Sequence, residues 1–373
     1  MTIRHPPAEE GMTLEDVDTP ALILDLDIFE NNRKNLKNIL AGYDVRIRPH
    51  AKSHKCPDIA KLQVADGAVG ICCQKISEGE VMAEHGITDI LISNEIVGIK
   101  KIQRLAKLSK KCKLSVCVDN LENVREIARE VMSCKSSLGI YIELNTGTDR
   151  CGLTDQGEIL DIAKFVEQCR FLKFCGLQAY QGHTQHIRDY NKRVDLTKQA
   201  TRTVTQVVNL LSNNKIRCPV ISGGGTGTFE LEAKSGVYNE IQLGSYIFMD
   251  RDYSLNLDQN GYTVKDFQQS LFILATIMSK PNSTRAVVDV GLKSVAVDSG
   301  LPAVVEFGAT YDSASDEHGK LSVSEPNKFL LGDKIMLAPG HCDPTVNLHD
   351  WIIAYRGKTV SNVWEVAARG AFF

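Results

Sequence analysis

The first candidate for a reactive site is a run rich in ionisable side chains, Arg48-Pro49-His50-Ala51-Lys52-Ser53-His54-Lys55. It overlaps the end of an apolar, strand-like run at residues 45–49. A lysine held among other cations has a depressed pKa, and it can then attack a carbonyl group to form a Schiff base. The run therefore predicts Lys52 as a nucleophile, although a solvated loop is the commoner role of a basic cluster.

A second candidate is a run of glycines and hydroxyls, Ser222-Gly223-Gly224-Gly225-Thr226-Gly227-Thr228, at the end of another apolar strand. Consecutive glycines let backbone N–H groups approach an anion closely, and the threonines add hydroxyl groups. The sequence around the run does not fit a Walker loop or a dinucleotide-binding fingerprint. The run therefore predicts a phosphate cradle, with a flexible turn as the alternative.

Histidines supply the remaining candidates. The segment His341-Cys342-Asp343-Pro344 would place His341 and Asp343 on one face if the chain is extended, where they could hold manganese, magnesium or zinc. A thiolate from Cys342 would favour zinc, and a surface turn is the alternative. The segment His183-Thr184-Gln185-His186 follows Tyr180, and either histidine could be a general base or a structural residue.

Eight β-rich runs could bring these residues together. They are residues 45–49, 68–73, 89–93, 113–119, 138–145, 174–180, 218–223 and 240–248. Segments with helical periodicity, such as 99–111 and 120–133, lie between them. Eight alternations fit an α/β fold of the (β/α)8 TIM-barrel type better than a doubly wound sheet. The reactive residues follow the strands, which is where active sites of such barrels lie.

After about residue 268 the pattern changes to short strands without long helices, which predicts a C-terminal antiparallel β domain. The strand-like runs are 270–278, 285–290, 303–307, 334–337, 351–356 and 363–367. A further run at 21–27 has no place in an eight-stranded barrel, so we expect it to pair with this domain. We therefore predict a barrel at 28–267 and a β domain formed by 1–27 together with 268–373.

Composition narrows the class of protein. The chain has 373 residues with a net charge of -3, which gives no reason to expect a nucleic acid or an anionic membrane as partner. Its apolar runs are too short for a transmembrane helix, and the N-terminus has no apolar signal-peptide core. The chain has eleven cysteines, an odd number, and no Cys-x-x-Cys motif. This predicts reduced thiols in a cytoplasmic protein.

Four motifs, in the same order and over nearly the whole chain, resemble the D-threonine aldolase and eukaryotic-type D-serine dehydratase family. They are the Arg48–Lys55 run, Tyr180-Gln181-Gly182, Ser222-Gly223-Gly224-Gly225-Thr226 and Pro339-Gly340-His341-Cys342-Asp343-Pro344-Thr345. Members of this family are pyridoxal 5'-phosphate (PLP) enzymes with an alanine-racemase-like barrel and a C-terminal β domain. Within it, stretches such as Cys72-Cys73-Gln74-Lys75 are most similar to 3-hydroxy-D-aspartate aldolase.

The resemblance implies a role for each candidate. Lys52 would bind PLP covalently, and His186 would be the base that acts on the substrate β-hydroxyl. Tyr180 would face the pyridine nitrogen, with Arg150 beside the ring. The cofactor-binding residues implied are Lys52, Gln74, Arg150, Tyr180, Gly224, Gly225, Thr226, Gly244 and Ser245. His341 and Asp343 would bind a divalent metal ion, and the enzyme would be a homodimer.

The implied reaction is cleavage of a D-3-hydroxy amino acid, either D-threonine or 3-hydroxy-D-aspartate, to glycine and an aldehyde. Arg46, Arg48 and Lys75 are candidates for binding a second substrate carboxylate. Dehydration is the alternative reaction, but family dehydratases resemble a His-x-Cys pair and aldolases a His-x-Asp pair, so Asp343 favours the aldolase. A non-catalytic PLP-binding protein and an amino-acid racemase are the alternatives from other classes.

Overall fold

The computed structural model describes residues 5–325 and 328–373. The first strand, β1 (Ala21–Asp25), leads directly into helix α1 (Leu26–Leu40). Asp25 caps this helix, because its side chain accepts hydrogen bonds from the backbone N–H groups of Asp27 and Ile28. The helix packs its apolar side, which includes Phe29 and Leu36, into the core.

Eight parallel strands follow within the described residues, and helices alternate with most of them. The strands are β2 (Arg46–Ile47), β3 (Ile71–Cys73), β4 (Asp89–Ile92), β5 (Lys113–Val118), β6 (Leu138–Glu143), β7 (Leu172–Ala179), β8 (Val220–Gly223) and β9 (Glu240–Ile241). The helices are α2 (Pro57–Ala65), α3 (Ile76–Glu84), α4 (Ile99–Leu108), α5 (Leu121–Ser133), α6 (Gln156–Gln168), α7 (Tyr190–Asn213), α8 (Phe229–Lys234) and α9 (Arg251–Ser254).

The parallel sheet curls until its two edges meet. Its strand order is β2-β9-β8-β7-β6-β5-β4-β3, and a parallel bridge between His50 and Cys72 joins the first and last members. The backbone N–H of Cys72 donates to the carbonyl of Pro49 across this junction, at 2.8 Å. Central strands such as β6 are buried along their whole length, as expected when helices cover the outside of a parallel sheet. The TIM-like barrel predicted from the alternation is confirmed.

A second sheet of nine strands lies mostly beyond the barrel segment in the described chain. Its further members are β10 (Leu271–Asn282), β11 (Arg285–Val288), β12 (Ala303–Val304), β13 (Ala309–Ala314), β14 (Gly319–Val323), β15 (Lys334–Ala338), β16 (Trp351–Arg356) and β17 (Thr359–Glu365). β1 pairs antiparallel with β10 and parallel with β16, so the N-terminal strand belongs to this sheet. The other pairs in the sheet are antiparallel. The division at 28–267 stays a prediction.

Two local expectations differ from the structure. The run at 240–248 contains only two residues of strand, and Ser245–Ile247 forms a 3-10 turn. The segment after β15 is a short helix, α10 (Cys342–Val346), rather than extended chain. Pro344 stands in the first turn of α10, where the missing N–H of proline costs no hydrogen bond. In the part of the chain that the structure describes, no helix is both long enough and apolar enough to cross a membrane.

Candidate active site

A cavity of about 290 Å³ opens at the carboxyl ends of the barrel strands. Eight of the residues predicted to bind a cofactor line it, namely Lys52, Gln74, Arg150, Tyr180, Gly225, Thr226, Gly244 and Ser245. The loops after β2, β3, β6, β7, β8 and β9 supply these residues, which therefore come from distant parts of the sequence. The barrel geometry brings them together because parallel strands end on the same face.

Lys52 lies on a 3-10 turn, Ala51–Ser53, whose start is fixed by His50. The backbone N–H of Lys52 donates to His50 Nδ1 at 3.3 Å. His50 Nε2 lies 2.9 Å from Ser93 Oγ and 3.1 Å from Gln74 Oε1. This arrangement suits a neutral ring that accepts at Nδ1 and donates at Nε2. Burial, aided by the charge of Lys52, lowers the pKa of His50 to about 3, so the ring stays neutral.

The side chain of Lys52 reaches the C-terminal motif. Its Nζ lies 3.3 Å from Asp343 Oδ2, and Ser245 Oγ donates to Asp343 Oδ1 at 3.2 Å. The Asp343 carboxylate raises the pKa of Lys52 above its ordinary value. The depressed lysine pKa expected from the surrounding cations is therefore wrong for this arrangement, because a carboxylate from α10 lies closer to Nζ than the sequence neighbourhood suggests.

The glycine-rich loop after β8 is fixed by Gln185, which is fully buried. Gln185 Oε1 accepts from the backbone N–H of Gly227 at 2.9 Å, and its Nε2 donates to Thr228 Oγ1 at 2.8 Å. A Cβ at Gly225 would lie 2.5 Å from Gln185 Oε1, so this packing requires glycine. Thr226 Oγ1 is buried and has no hydrogen-bond partner among the described residues.

Other predicted residues lie around this loop. The guanidinium of Arg150 lies 5.8 Å from the centre of the Tyr180 ring, so these two side chains meet at the cavity wall. Gly224 stands beside the lining residues with φ +75°, a conformation that glycine adopts without strain.

The two candidate histidines differ in their surroundings. His183 Nδ1 lies 3.1 Å from Thr148 Oγ1 in an exposed loop. His186 Nδ1 is paired with Asp252 Oδ2, and its ring packs against Tyr253, with ring centres 4.9 Å apart. Tyr253 lines the cavity, whereas His186 is not among the lining residues and meets the site through the Tyr253 ring.

The predicted metal ligands are held by α10. His341 is the residue before the helix and Asp343 lies in its first turn, so the expected same-face arrangement of an extended strand is wrong. The Cys342 side chain lies beside Asp343, with its Sγ 3.3 Å from Asp343 Oδ1. His341 Nδ1 is 2.7 Å from Asp298 Oδ2. In the described part of the chain, His, Cys, Asp and Glu residues form no group of three that could hold a metal ion.

Charges around Asp343 keep it ionised. Its burial opposes a negative charge, but Lys52 and then His341 hold the pKa of its carboxyl at about 2. His349, downstream of the motif, has its Nε2 2.7 Å from the carbonyl oxygen of Ser294.

Comparison with known proteins agrees with this geometry. The family model for the N-terminal domain of alanine racemase matches residues 24–252, and a D-serine dehydratase-like domain matches residues 270–355. A D-threonine aldolase from an Arthrobacter species is 44% identical over 98% of this chain and 96% of its own length. The 3-hydroxy-D-aspartate aldolase of Paracoccus denitrificans strain Pd 1222 is 41% identical over 98% and 95%.

This chain belongs to the D-threonine aldolase and 3-hydroxy-D-aspartate aldolase family. The crystal structure of a D-threonine aldolase from Filomicrobium marinum superimposes with a TM-score of 0.95 at 42% identity, covering 99% of this chain and all of that one. The predicted resemblance and the predicted enzyme class, a carbon–carbon lyase of the aldolase type, are confirmed. The identities of 44% and 41% do not separate the two aldolase types.

In this aldolase, two of the cations considered for a second substrate carboxylate have other partners. Arg48 Nε donates to Glu240 Oε1 at 3.1 Å, and its Nη1 donates to Asp89 Oδ1 at 2.7 Å. Arg46 lies 3.5 Å from the second oxygen of Glu240. Neither arginine is among the residues that line the cavity, and both are paired with the buried Glu240.

The sequence did not single out several residues of the aldolase cavity. The amides of Gln178 and Gln242 exchange hydrogen bonds of 2.9 and 2.7 Å in its wall. Gln178 stands at the end of β7, a position that could have been read from the strand pattern. Tyr253 and the carboxylates that pair with the histidines lie in loops and short helices, where no periodic pattern marks them.

Proposed function

We propose that this aldolase cleaves a D-3-hydroxy amino acid, D-threonine or 3-hydroxy-D-aspartate, to glycine and an aldehyde, with PLP and a divalent metal ion as cofactors. The observation that carries the proposal is the 3.3 Å contact between Lys52 Nζ and Asp343 Oδ2. It joins the barrel lysine to the His-x-Asp motif that favours an aldolase over a dehydratase. The names of the two relatives above supply the substrate class.

The cavity residues fit PLP. Lys52 would be its covalent anchor, and Gly224, Gly225, Thr226, Gly244 and Ser245 would hold its phosphate. The buried Thr226 hydroxyl without a partner supports this assignment, because such a group needs a ligand or water to compensate its burial. Tyr180, Arg150 and Gln74 would contact the ring from the other strands. When bound, PLP supplies an electron sink for the charge that remains on the substrate Cα.

The C-terminal motif supplies a donor set suited to manganese, magnesium or zinc. His341 has its Nδ1 engaged by Asp298, as is typical of metal-binding histidines, so its Nε2 would be the ligand atom. Asp343 stays ionised and would be the second ligand. A divalent ion supplies Lewis-acid polarisation of the substrate β-hydroxyl.

The chain's own residues would then carry the proton. His186 accepts the β-hydroxyl proton at Nε2, the Cα–Cβ bond breaks, and the aldehyde leaves. Cα then gains one proton, which balances the hydroxyl proton taken by His186, and glycine is complete. His186 is chosen over His183 because its ring packs against Tyr253 in the cavity wall.

Product analysis tests the proposal. The enzyme is incubated with PLP and manganese and with D-threonine, 3-hydroxy-D-aspartate or D-serine in turn. Glycine with acetaldehyde from D-threonine, or glycine with glyoxylate from 3-hydroxy-D-aspartate, is the expected outcome, and the ratio of the two kcat/KM values identifies the preferred substrate. Ammonia with a keto acid would show a dehydratase and overturn the proposal.

A homodimer and a cytoplasmic location complete the proposal. All eleven cysteines are free thiols in the structure, which supports a reducing compartment. Sedimentation equilibrium of the holoenzyme measures the oligomeric state, and a monomer over the whole concentration range would contradict the dimer.

A further inference from the structure

The short helix α9 provides both partners of the His186 ring. Asp252 Oδ2 is paired with His186 Nδ1, and the adjacent Tyr253 ring packs against the imidazole at 4.9 Å between centres. Within residues 5–325 and 328–373, no side chain or backbone group hydrogen-bonds to His186 Nε2. The side chain of His186 remains 44% exposed, so Nε2 is accessible to a ligand.

The Asp252 carboxylate is itself held in one orientation. Its Oδ1 accepts a hydrogen bond from Arg188, on the same loop as His186. Arg188 Nη1 also donates to the backbone carbonyl of Asp252 at 2.6 Å and to Asn256 Oδ1 at 2.8 Å. Each carboxylate oxygen of Asp252 therefore has a fixed partner, and its side chain is only 13% exposed.

The backbone around α9 is fastened to the C-terminal motif. The N–H of Arg251 donates to the carbonyl of Pro339 at 3.1 Å, and the N–H of Asp252 donates to that of Gly340 at 3.2 Å. The fully buried Asp250 accepts from the N–H of Cys342 at 3.0 Å. The segment that orients His186 is thus bonded to the residues on both sides of His341.

We propose that Asp252 is a positioning residue for His186, a role that rests on the proposed function of His186 as the base. By accepting the Nδ1–H, Asp252 fixes the tautomer in which Nε2 is unprotonated and can take the β-hydroxyl proton. Its charge also stabilises the imidazolium that forms. Through its backbone bond to Gly340, it sets the place of that nitrogen relative to His341 and Asp343.

Nitrogen NMR of ¹⁵N-histidine-labelled holoenzyme reads the tautomer directly, with the His186 signals assigned by their loss in His186→Gln. In the wild type we expect a protonated Nδ1 and an unprotonated Nε2. In Asp252→Asn, Arg188 holds the amide oxygen, so the NH2 group faces Nδ1 and can only donate to it. The tautomer then changes to Nε2–H. An unchanged tautomer in this variant, or Nε2–H in the wild type, would overturn the proposal.

A double-mutant cycle separates positioning from general support of the fold. We expect Asp252→Asn to lower kcat ~10²-fold or more with little change in KM. In a His186→Ala background the same substitution should cost nothing further, because it acts through the ring. Additive losses would overturn the positioning role. Asp195→Asn, an exposed change of the same kind on α7, is the control and should leave the tautomer and turnover unchanged.

The two proposals fail in different ways. Full turnover in His186→Ala would remove His186 as the base and with it the proposed chemistry. An inactive His186→Ala variant together with a wild-type tautomer in Asp252→Asn would leave the base in place and remove only the role of Asp252. The visible absorbance of bound PLP, retained in every variant, shows that the cavity is still formed.

Discussion

The barrel mouth and the C-terminal motif meet at Asp343, but they are built in different ways. Lys52, Thr226 and Ser245 follow parallel strands of the barrel, so their positions depend on the register of the barrel sheet. Asp343 lies on the five-residue helix α10, which follows strand β15 of the other sheet. The first set is part of a continuous core, whereas the second depends on contacts between two sheets.

This difference predicts that the barrel mouth and the C-terminal motif have separate roles. The barrel mouth contains the groups proposed to hold PLP, and the loops after the barrel strands place their backbone. The C-terminal motif contains the groups proposed to hold the metal ion, and its place relative to the cavity is set by contacts with Lys52, Ser245 and Asp250. Substitutions in the barrel should therefore remove the cofactor, and substitutions in α10 should remove the reaction while the cofactor stays bound.

The largest effect is expected from Lys52→Ala. Without the lysine, PLP has no covalent anchor, so the visible absorbance of the bound cofactor should disappear and turnover should fall by roughly 10³-fold or more. Absorbance spectroscopy after PLP titration and product assays measure the two effects. A coloured, fully active variant would contradict both the assignment of Lys52 and the proposal that the barrel mouth holds the cofactor.

Asp343→Ala tests the other side of the comparison. We expect turnover to fall by roughly 10²–10³-fold, because one of two metal ligands is lost, while the PLP absorbance is retained. Chelator treatment of the wild type should give the same pattern and be reversed by manganese. Asp195→Ala, on the exposed face of α7, is the matched control. Full activity after complete metal removal would contradict a catalytic metal ion at His341 and Asp343.

Asp298→Asn should have a smaller effect, on metal affinity rather than on the chemistry itself. Asp298 contacts His341 Nδ1 at 2.7 Å but does not belong to the proposed ligand pair. Loss of such an outer partner typically costs 10–100-fold in affinity. Isothermal titration calorimetry with manganese measures this affinity, and kcat at saturating manganese should return to the wild-type value. Unchanged manganese affinity would show that this contact does not orient the ligand.

The smallest effect on turnover is expected at Glu232, which supports the glycine-rich loop through Thr228. Burial raises the pKa of Glu232 to about 7, although its Oε1 accepts from Thr228 Oγ1 at 2.8 Å. Because the unfolded value is about 4.3, the folded protein binds this proton more tightly, and stability falls as the pH rises towards 7. Glu232→Gln should remove this loss, of the order of 3–4 kcal/mol at pH 8, and change little at pH 4.

Thermal unfolding at the two pH values measures the Glu232 effect. Glu230→Gln, at a half-buried position paired with Lys234 on the same helix, is the matched control, and its effect on stability should differ little between the two pH values. A Glu232→Gln variant that is less stable than the wild type at pH 8 would show that the carboxylate is stabilising in its charged form.

Local patterns predicted the barrel well, because buried parallel strands and amphipathic helices each have a periodicity that the residues reveal. Each of the eight predicted runs contains a barrel strand, although the run at 240–248 has only two strand residues, and the N-terminal strand pairs with the second sheet as expected. The hairpin of β13 and β14 was missed, since its alternating but largely polar residues at 309–314 and 319–323 do not form an apolar run. The helical start at Cys342 was missed because five residues are too few to show a period.

The sequence by itself determined which side chains could react and which strand ends would carry them. Only the tertiary structure decided their charge partners. Asp252 and Asp298 stand 66 and 43 residues from the histidines they contact, and Asp343 reaches Lys52 from the other sheet. Such pairs depend on how separate elements pack and on the direction of individual side chains, and no repeat along the chain encodes either. For this reason the predicted lowering of the Lys52 pKa is wrong, whereas Lys52 itself lies in the cavity.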